Sequence, residues 1–176
     1  VLVPYLNLGE QPLANALLKT AEEPFERYPL QLLYCERCRL SQLSVVVDPV
    51  VMFTGYRWLA GQSASWRKHC AWLPEQIGYP FDRGGLVVDI GANDGTLLSE
   101  FSRRGMRVIG VEPSSVPIVP GLQGRPHVFY RCYWSLELAE SIVIEHGPVD
   151  VIAATNVLAH VDDLHGFLIA VRAALI

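Results

Sequence analysis

LVVDIGANDGTLL, residues 86–98, runs from an apolar stretch through an acid into a loop of small residues, and from there into a helical pattern. Leu86 to Ile90 read as a buried parallel strand, because strands covered on both faces are continuously apolar. Asp89 stands near its carboxyl end, where open α/β sheets bind their ligands. Gly91 and Gly95 let the backbone pass close to a ligand, and a helix starting at Thr96 turns its free N–H groups toward it. Gly91 to Gly95 is therefore read as a cofactor cradle.

Downstream, strands and helices alternate. A helix is predicted over Thr96–Arg104, a strand over Arg107–Val111 that Glu112 ends, a weak strand over His127–Tyr130, a helix over Ser135–His146, a strand over Val149–Ala154 and a helix over Asp163–Leu175. Pro113, Pro117, Pro120 and Pro126 would break a helix between Glu112 and His127, so that crossover is read as loop. The alternation predicts an α/β fold with a doubly wound parallel sheet. Upstream, Tyr79 to Gly85 has linker character, which sets expected domains of residues 1–80 and 81–176. A helix after Gly61 carries Trp66, Cys70 and Leu73 on one face and is weakened at Pro74. Asp48 to Tyr56 is a connector, and Val1 to Pro29 is an irregular, loop-rich opening.

The 176 residues carry a formal net charge of −4 and are 51% hydrophobic, as expected of a globular chain with room for one core and a small second one. No apolar run reaches the roughly 20 residues of a membrane span, and no signal peptide opens the chain, so a cytoplasmic protein is expected. Mild acidity without a Lys/Arg run argues against nucleic acid and for a small-molecule partner. Of the four cysteines, Cys35 and Cys38 form a C-x-x-C between two strands, Leu30–Tyr34 and Leu40–Val47, as in a zinc knuckle. A closed zinc site needs four ligands and no second C-x-x-C is present. Either the other half precedes Val1, or the motif is a turn with two thiols. Cys70 and Cys132 are read as buried thiols.

The chemistry rests on Asp89 to Gly95 together with Glu112, which ends the next strand about 20 residues on, where a carboxylate accepts hydrogen bonds from a ribose. The G-x-G-x-x-G fingerprint of dinucleotide sites is absent. Asp89 and Asp94 would repel phosphates but tolerate a sulfonium and an ammonium group, which favours S-adenosylmethionine over NAD. An NAD-linked oxidoreductase is the weaker alternative.

At this level the chain resembles the sugar C-methyltransferases that act on nucleotide-linked deoxysugars. The resemblance is carried by LGEQPLAN (Leu8 to Asn15), YPLQLLYCERCRLSQL (Tyr28 to Leu43), FTGYRWLAGQSASWRKH (Phe53 to His69), DIGANDGTLL (Asp89 to Leu98), GVEPSS (Gly110 to Ser115) and ATNVLAHVDDL (Ala154 to Leu164). It implies a small zinc-binding domain followed by a class I methyltransferase (Rossmann-like) domain. Gly91, Asn93, Asp94 and Gly95 would line the methionine and ribose end of the cofactor, Glu112 would hold the ribose, and Pro113 would lie beside the adenine. Asn156 would sit near the reacting methyl group, with His160 beyond it, and Tyr56 and Trp58 would approach the sugar. The reaction calls for a base that removes a proton alpha to a keto group, and the enolate then attacks the methyl carbon. His160 and Tyr56 are the candidates within this chain, while the resemblance places the family's base in a part following the cofactor domain. One C-x-x-C and four sheet strands are read as an internal fragment of a longer enzyme, lacking N- and C-terminal parts. A truncated or degenerate binding module without catalysis is the alternative.

Overall fold

The computed structural model describes the chain apart from Asn15, Thr54, Arg57, residues 78–83, Pro126 and Ile176. Its contacts divide it into two compact units, Val1–Arg57 and Trp58–Ile176. No helix among the described residues is long and apolar enough to cross a membrane.

The first unit is a three-stranded antiparallel sheet of β1 (Leu2–Pro12), β2 (Arg27–Cys35) and β3 (Ser41–Leu43), in that order. β1 corrects the expectation of an irregular opening. Pro4, Asn7 and Gly9 break the two-residue period, and the pairing shifts register between Pro4 and Leu6 and between Asn7 and Glu10. An edge strand tolerates proline and bulges, and long-range pairing with β2 makes the segment a strand without a local signature. β3 is shorter than the predicted Leu40–Val47. The C-x-x-C does lie at the hairpin turn: Cys35 N–H donates to Leu40 O (2.8 Å) and Arg39 N–H to Cys35 O (2.8 Å). The connector after β3 holds a short helix, α1 (Pro49–Phe53), at whose start Asp48 Oδ1 accepts from Val50 N–H (2.8 Å).

The second unit begins with a 3-10 turn at Ala60–Gln62 and α2 (Ala64–Ile77), which runs through the buried Pro74. It continues with β4 (Leu86–Ile90), α3 (Thr96–Arg103), β5 (Arg107–Val111), β6 (Val128–Tyr130), α4 (Leu136–His146), β7 (Val151–Ala153) and α5 (Leu164–Ala174). The four strands are parallel, in the order β6-β5-β4-β7. Side chains alternate across β4, so Leu86, Val88 and Ile90 pack with Ala139, Ile142, Phe167 and Ala170, from α4 and α5. Val87 faces the other way, into a layer with Cys70, Leu97, Leu98 and Phe101 from α2 and α3. Both faces of β4 are thus covered, and every residue in it is buried. The two last helices begin where the sequence places capping side chains: Ser135 Oγ accepts from Leu138 N–H (3.2 Å) and Asp163 Oδ1 from Gly166 N–H (2.9 Å).

This is the predicted α/β architecture, with no helix among the described residues between Glu112 and His127. The contacts place the division of the chain between Arg57 and Trp58. The expected linker falls mostly outside the described residues, and α2 groups with the sheet because it packs on α3 and because the turn before it hydrogen-bonds to the β4–α3 loop. Cys70 is buried as expected, whereas Cys132 is exposed just past the end of β6.

Gly110, in the middle of β5, lies under the Phe129 ring, and an added Cβ would meet ring carbons at 2.6–2.9 Å. Gly110→Ala is expected to cost about 1–3 kcal/mol through overpacking, measured as a lower urea midpoint with an unchanged slope.

Candidate functional site

β4 and β5 lie side by side, and the turns that leave them build the site. Gly91 N–H and Ala92 N–H both donate to Val111 O (2.8 and 3.2 Å), so the loop after β4 folds across the end of β5. Gly91 (φ +70°), Asn93 (+52°) and Gly95 (+80°) all take left-handed backbone conformations. A Cβ at Gly91 would stand 2.5 Å from Cγ2 of Val157, and one at Gly95 2.6 Å from Cδ1 of Leu122. The first of these approaches brings the turn after β7, with the exposed Asn156 (φ +59°), against the glycine loop.

Two buried acids sit at these strand ends. Glu112 Oε2 accepts from Asn93 N–H (2.8 Å) and Oε1 from Ser114 N–H (2.9 Å), which joins the turn after β4 to the turn after β5. A carboxylate oxygen has two lone pairs, so each oxygen keeps one for a further donor. Asp89 is 4% exposed. Burial first, and the negative charge of Glu112 second, push its carboxyl up to about 8. It is therefore mostly protonated at neutral pH, and a cation placed beside it would favour ionisation. Behind it, burial and then the charges of Asp89, Glu100 and Asp94 raise the Cys70 thiol to about 12, leaving it an inert packing group.

Asn93 and Asp94, read from the sequence as cofactor contacts, have side chains engaged within the protein. Asn93 Oδ1 accepts from Ala60 N–H (2.9 Å) and its Nδ2 donates to Trp58 O (3.0 Å). Asp94 Oδ1 accepts from Thr96 N–H (3.1 Å) and Oγ1–H (2.7 Å), and Oδ2 accepts from Gly61 N–H (2.8 Å). These partners lie 33 to 35 positions away on the chain for the 58–61 segment, and no local pattern announces them. Ser114 also escaped the sequence reading. Among the described residues, its Oγ and Trp134 Nε1 are the buried side-chain polar atoms without a hydrogen-bond partner, and such atoms are rare enough to call for an explanation.

The remaining predicted residues are placed as follows. Pro113 is half-buried between Glu112 and Ser114. His160 closes an exposed 3-10 turn, Leu158–His160, its N–H donating to Val157 O (2.8 Å). Tyr56 belongs to the first unit, its ring edge-on to Phe53 at 6.1 Å, while Trp58 opens the second. Cys35 and Cys38 are also in the first unit, where the Cys38 backbone N–H, and then its thiol, lower the Cys35 thiol below its usual range. Leu2 pairs with Cys35 and Glu36 N–H donates to Val1 O (3.3 Å), so the first residue of the chain lies beside the C-x-x-C turn. No cluster of three or more His, Cys, Asp or Glu side chains suited to a metal occurs among the described residues.

Comparison with known proteins agrees with this division. A family described as "Methyltransferase domain" matches residues 63–175, and one described as "Putative zinc binding domain" matches residues 1–53. The C-methyltransferase NovU of Streptomyces niveus is 32% identical over 97% of this chain and 41% of its own length. A ubiquinone biosynthesis O-methyltransferase of Hahella chejuensis is 36% identical over 46% of this chain and 34% of its own length. The chain thus spans well under half the length of either relative.

Asp89 links stability to pH in a way that its isostere lacks. Its folded value, about 8, lies above the ordinary carboxyl value of 3.8, so the folded state keeps a proton that the unfolded state releases. Its contribution is intact below about pH 4 and is lost progressively as pH rises to about 8. Asp89→Asn is expected to abolish this component, and thermal melts from pH 4 to 8 should show the variant gaining on the wild type as pH rises.

Proposed function

Because the chain belongs to the methyltransferase-domain family, we propose that its glycine loop holds S-adenosylmethionine for C-methylation of a nucleotide-linked keto-deoxysugar. The observation that carries this reading is the pair of buried acids, Asp89 and Glu112, at the ends of neighbouring parallel strands. A phosphate-binding loop has no use for two carboxylates. A cofactor that carries a sulfonium, an ammonium group and two ribose hydroxyls does. S-adenosylmethionine supplies, when bound, an electrophilic methyl group.

The chain's own residues divide the work. Glu112 would accept the ribose hydroxyls on its remaining lone pairs while holding the turns at Asn93 and Ser114. Asp89 would release its proton beside the incoming cation. Gly91 and Gly95 present no side chain at either end of the loop, and Pro113 would flank the adenine. The Ser114 hydroxyl, without a partner among the described residues, offers one more hydrogen bond beside Glu112. Asn156 would stand at the methyl end, in the turn that Val157 seats on Gly91. His160, and Tyr56 of the first unit, are the candidates for taking the proton alpha to the keto group. NovU is named a C-methyltransferase, which favours carbon over oxygen as the acceptor.

For the first unit we propose structural zinc on Cys35 and Cys38, with further ligands from outside the described residues. The support is the match to the zinc-binding family and the hairpin turn that carries both cysteines, closed by the backbone bonds of Cys35 with Leu40 and Arg39. Two thiolates from a tight turn suit a tetrahedral ion.

Calorimetry tests the cofactor. S-adenosylmethionine is expected to bind and NAD to stay silent. The measured heat should depend on the buffer's ionisation enthalpy at pH 7, as Asp89 releases its proton. Glu112→Ala should weaken binding by about 1–3 kcal/mol, because hydrogen bonds to a charged acceptor are lost. Heat from NAD alone, or from neither ligand, overturns the reading. Metal analysis tests the knuckle: Cys35→Ser should lower bound zinc, and equal zinc in both proteins removes the assignment.

A further inference from the structure

Asn93 is a side chain whose chemistry the cofactor reading does not use. It is 8% exposed, its backbone is left-handed, and its three hydrogen bonds reach two parts of the second unit that are distant in sequence. The backbone N–H goes to the Glu112 carboxylate. The side-chain amide accepts from Ala60 N–H and donates to Trp58 O, pairing with that segment as a neighbouring strand would. Asp94 extends the pairing by one residue through Gly61 N–H. The fit is close: a Cβ at Gly61 would stand 3.0 Å from both Asp94 Oδ2 and Thr96 Oγ1 and 3.2 Å from Val119 Cγ1. The segment continues into an aromatic row. The Trp58 ring meets Trp66 edge-on at 6.0 Å, Trp66 lies 5.1 Å from His69, and His69 lies 5.6 Å from Trp72. Trp58 itself is 42% exposed.

We propose that Asn93 is a positioning residue that couples the cofactor loop to the Trp58–Gln62 segment, so that a ligand on Glu112 sets the order of this segment and of the Trp58 ring. The coupling runs through one carboxylate. Glu112 Oε2 bonds the Asn93 N–H, and hydroxyls arriving on the same oxygens fix the carboxylate and with it the Asn93 backbone. The side-chain amide carries that fixation to Ala60 and Trp58. An asparagine is required because one face must accept and the other donate. Aspartate would keep the Ala60 contact, lose the donor to Trp58 O and set a negative charge against that carbonyl. Glycine would keep the left-handed backbone and remove both contacts.

This inference rests on the reading that the loop binds S-adenosylmethionine, and the experiment separates the two. Amide hydrogen exchange at Ala60 and Gly61 is measured in the 176-residue chain with and without S-adenosylmethionine, alongside calorimetry, for wild type, Asn93→Gly and Asn93→Asp. In wild type the cofactor is expected to slow exchange at both amides by about tenfold or more. In Asn93→Gly that cofactor-dependent slowing at Ala60 should disappear, with Asn93→Asp intermediate, while Val87 and Val88 in β4 stay protected in all three and report an intact sheet. Enhanced or blue-shifted Trp58 emission on binding, isolated by comparison with Trp58→Phe, should vanish in the glycine variant as well. Calorimetric binding with exchange at Ala60 and Gly61 that ignores both cofactor and substitution overturns the coupling and leaves the cofactor reading standing. No heat from the cofactor overturns that reading and the coupling with it.

Discussion

The carboxylate of Glu112 is the interaction on which the second unit's working end depends. A buried carboxylate is costly unless donors surround it, and here two backbone N–H groups, from Asn93 and Ser114, meet its two oxygens. Those bonds join the turn leaving β4 to the turn leaving β5. The same charge presses on Asp89, one strand over, and contributes to keeping that carboxyl protonated at neutral pH. One negative group thus shapes the loop's geometry and raises the pKa of a second acid.

Small residues follow from that arrangement. With the loop drawn down onto β5, Val157, Leu122 and Phe129 close against Gly91, Gly95 and Gly110 at distances that leave no room for a Cβ. Gly61 sits less tightly, where a Cβ would meet Asp94 and Thr96 side-chain oxygens at 3.0 Å. The loop is therefore a junction for the turn after β7, the crossover after β5 and the segment before α2, as well as a face for a ligand. Methyltransferase-family membership accounts for the sheet and the loop. The attachment of residues 58–61 to Asn93 and Asp94 explains why the second unit starts before α2, earlier than the linker-like composition of residues 79–85 suggests.

The first unit shows the opposite balance between sequence and fold. Its hairpin was legible because β2 is apolar and ends on Cys35-Glu-Arg-Cys38, a turn that closes through Cys35 and Arg39. β1 was not legible. Its prolines and glycine erase the alternation, and its pairing with β2 is interrupted twice by register shifts. Only the partner strand makes it extended. In the second unit Cys132 was misread because a free cysteine usually packs as a small hydrophobe, whereas the chain past the end of β6 leaves this one exposed.

By itself the sequence determined the parallel α/β order, the glycine loop, the strand-end acid Glu112 and the helix starts at Ser135 and Asp163. Each rests on local periodicity or on a side chain that acts within a few residues of its own position. Tertiary structure alone decided that the Asp89 carboxyl is pushed above its ordinary range, that Asn93 and Asp94 grip Trp58, Ala60 and Gly61, that Ser114 keeps a buried hydroxyl without a partner among the described residues, and that residues 2–12 form a strand. Those outcomes depend on burial and on partners tens of residues away, where hydrogen bonding and desolvation are set by the packed chain and leave no trace in the order of its residues.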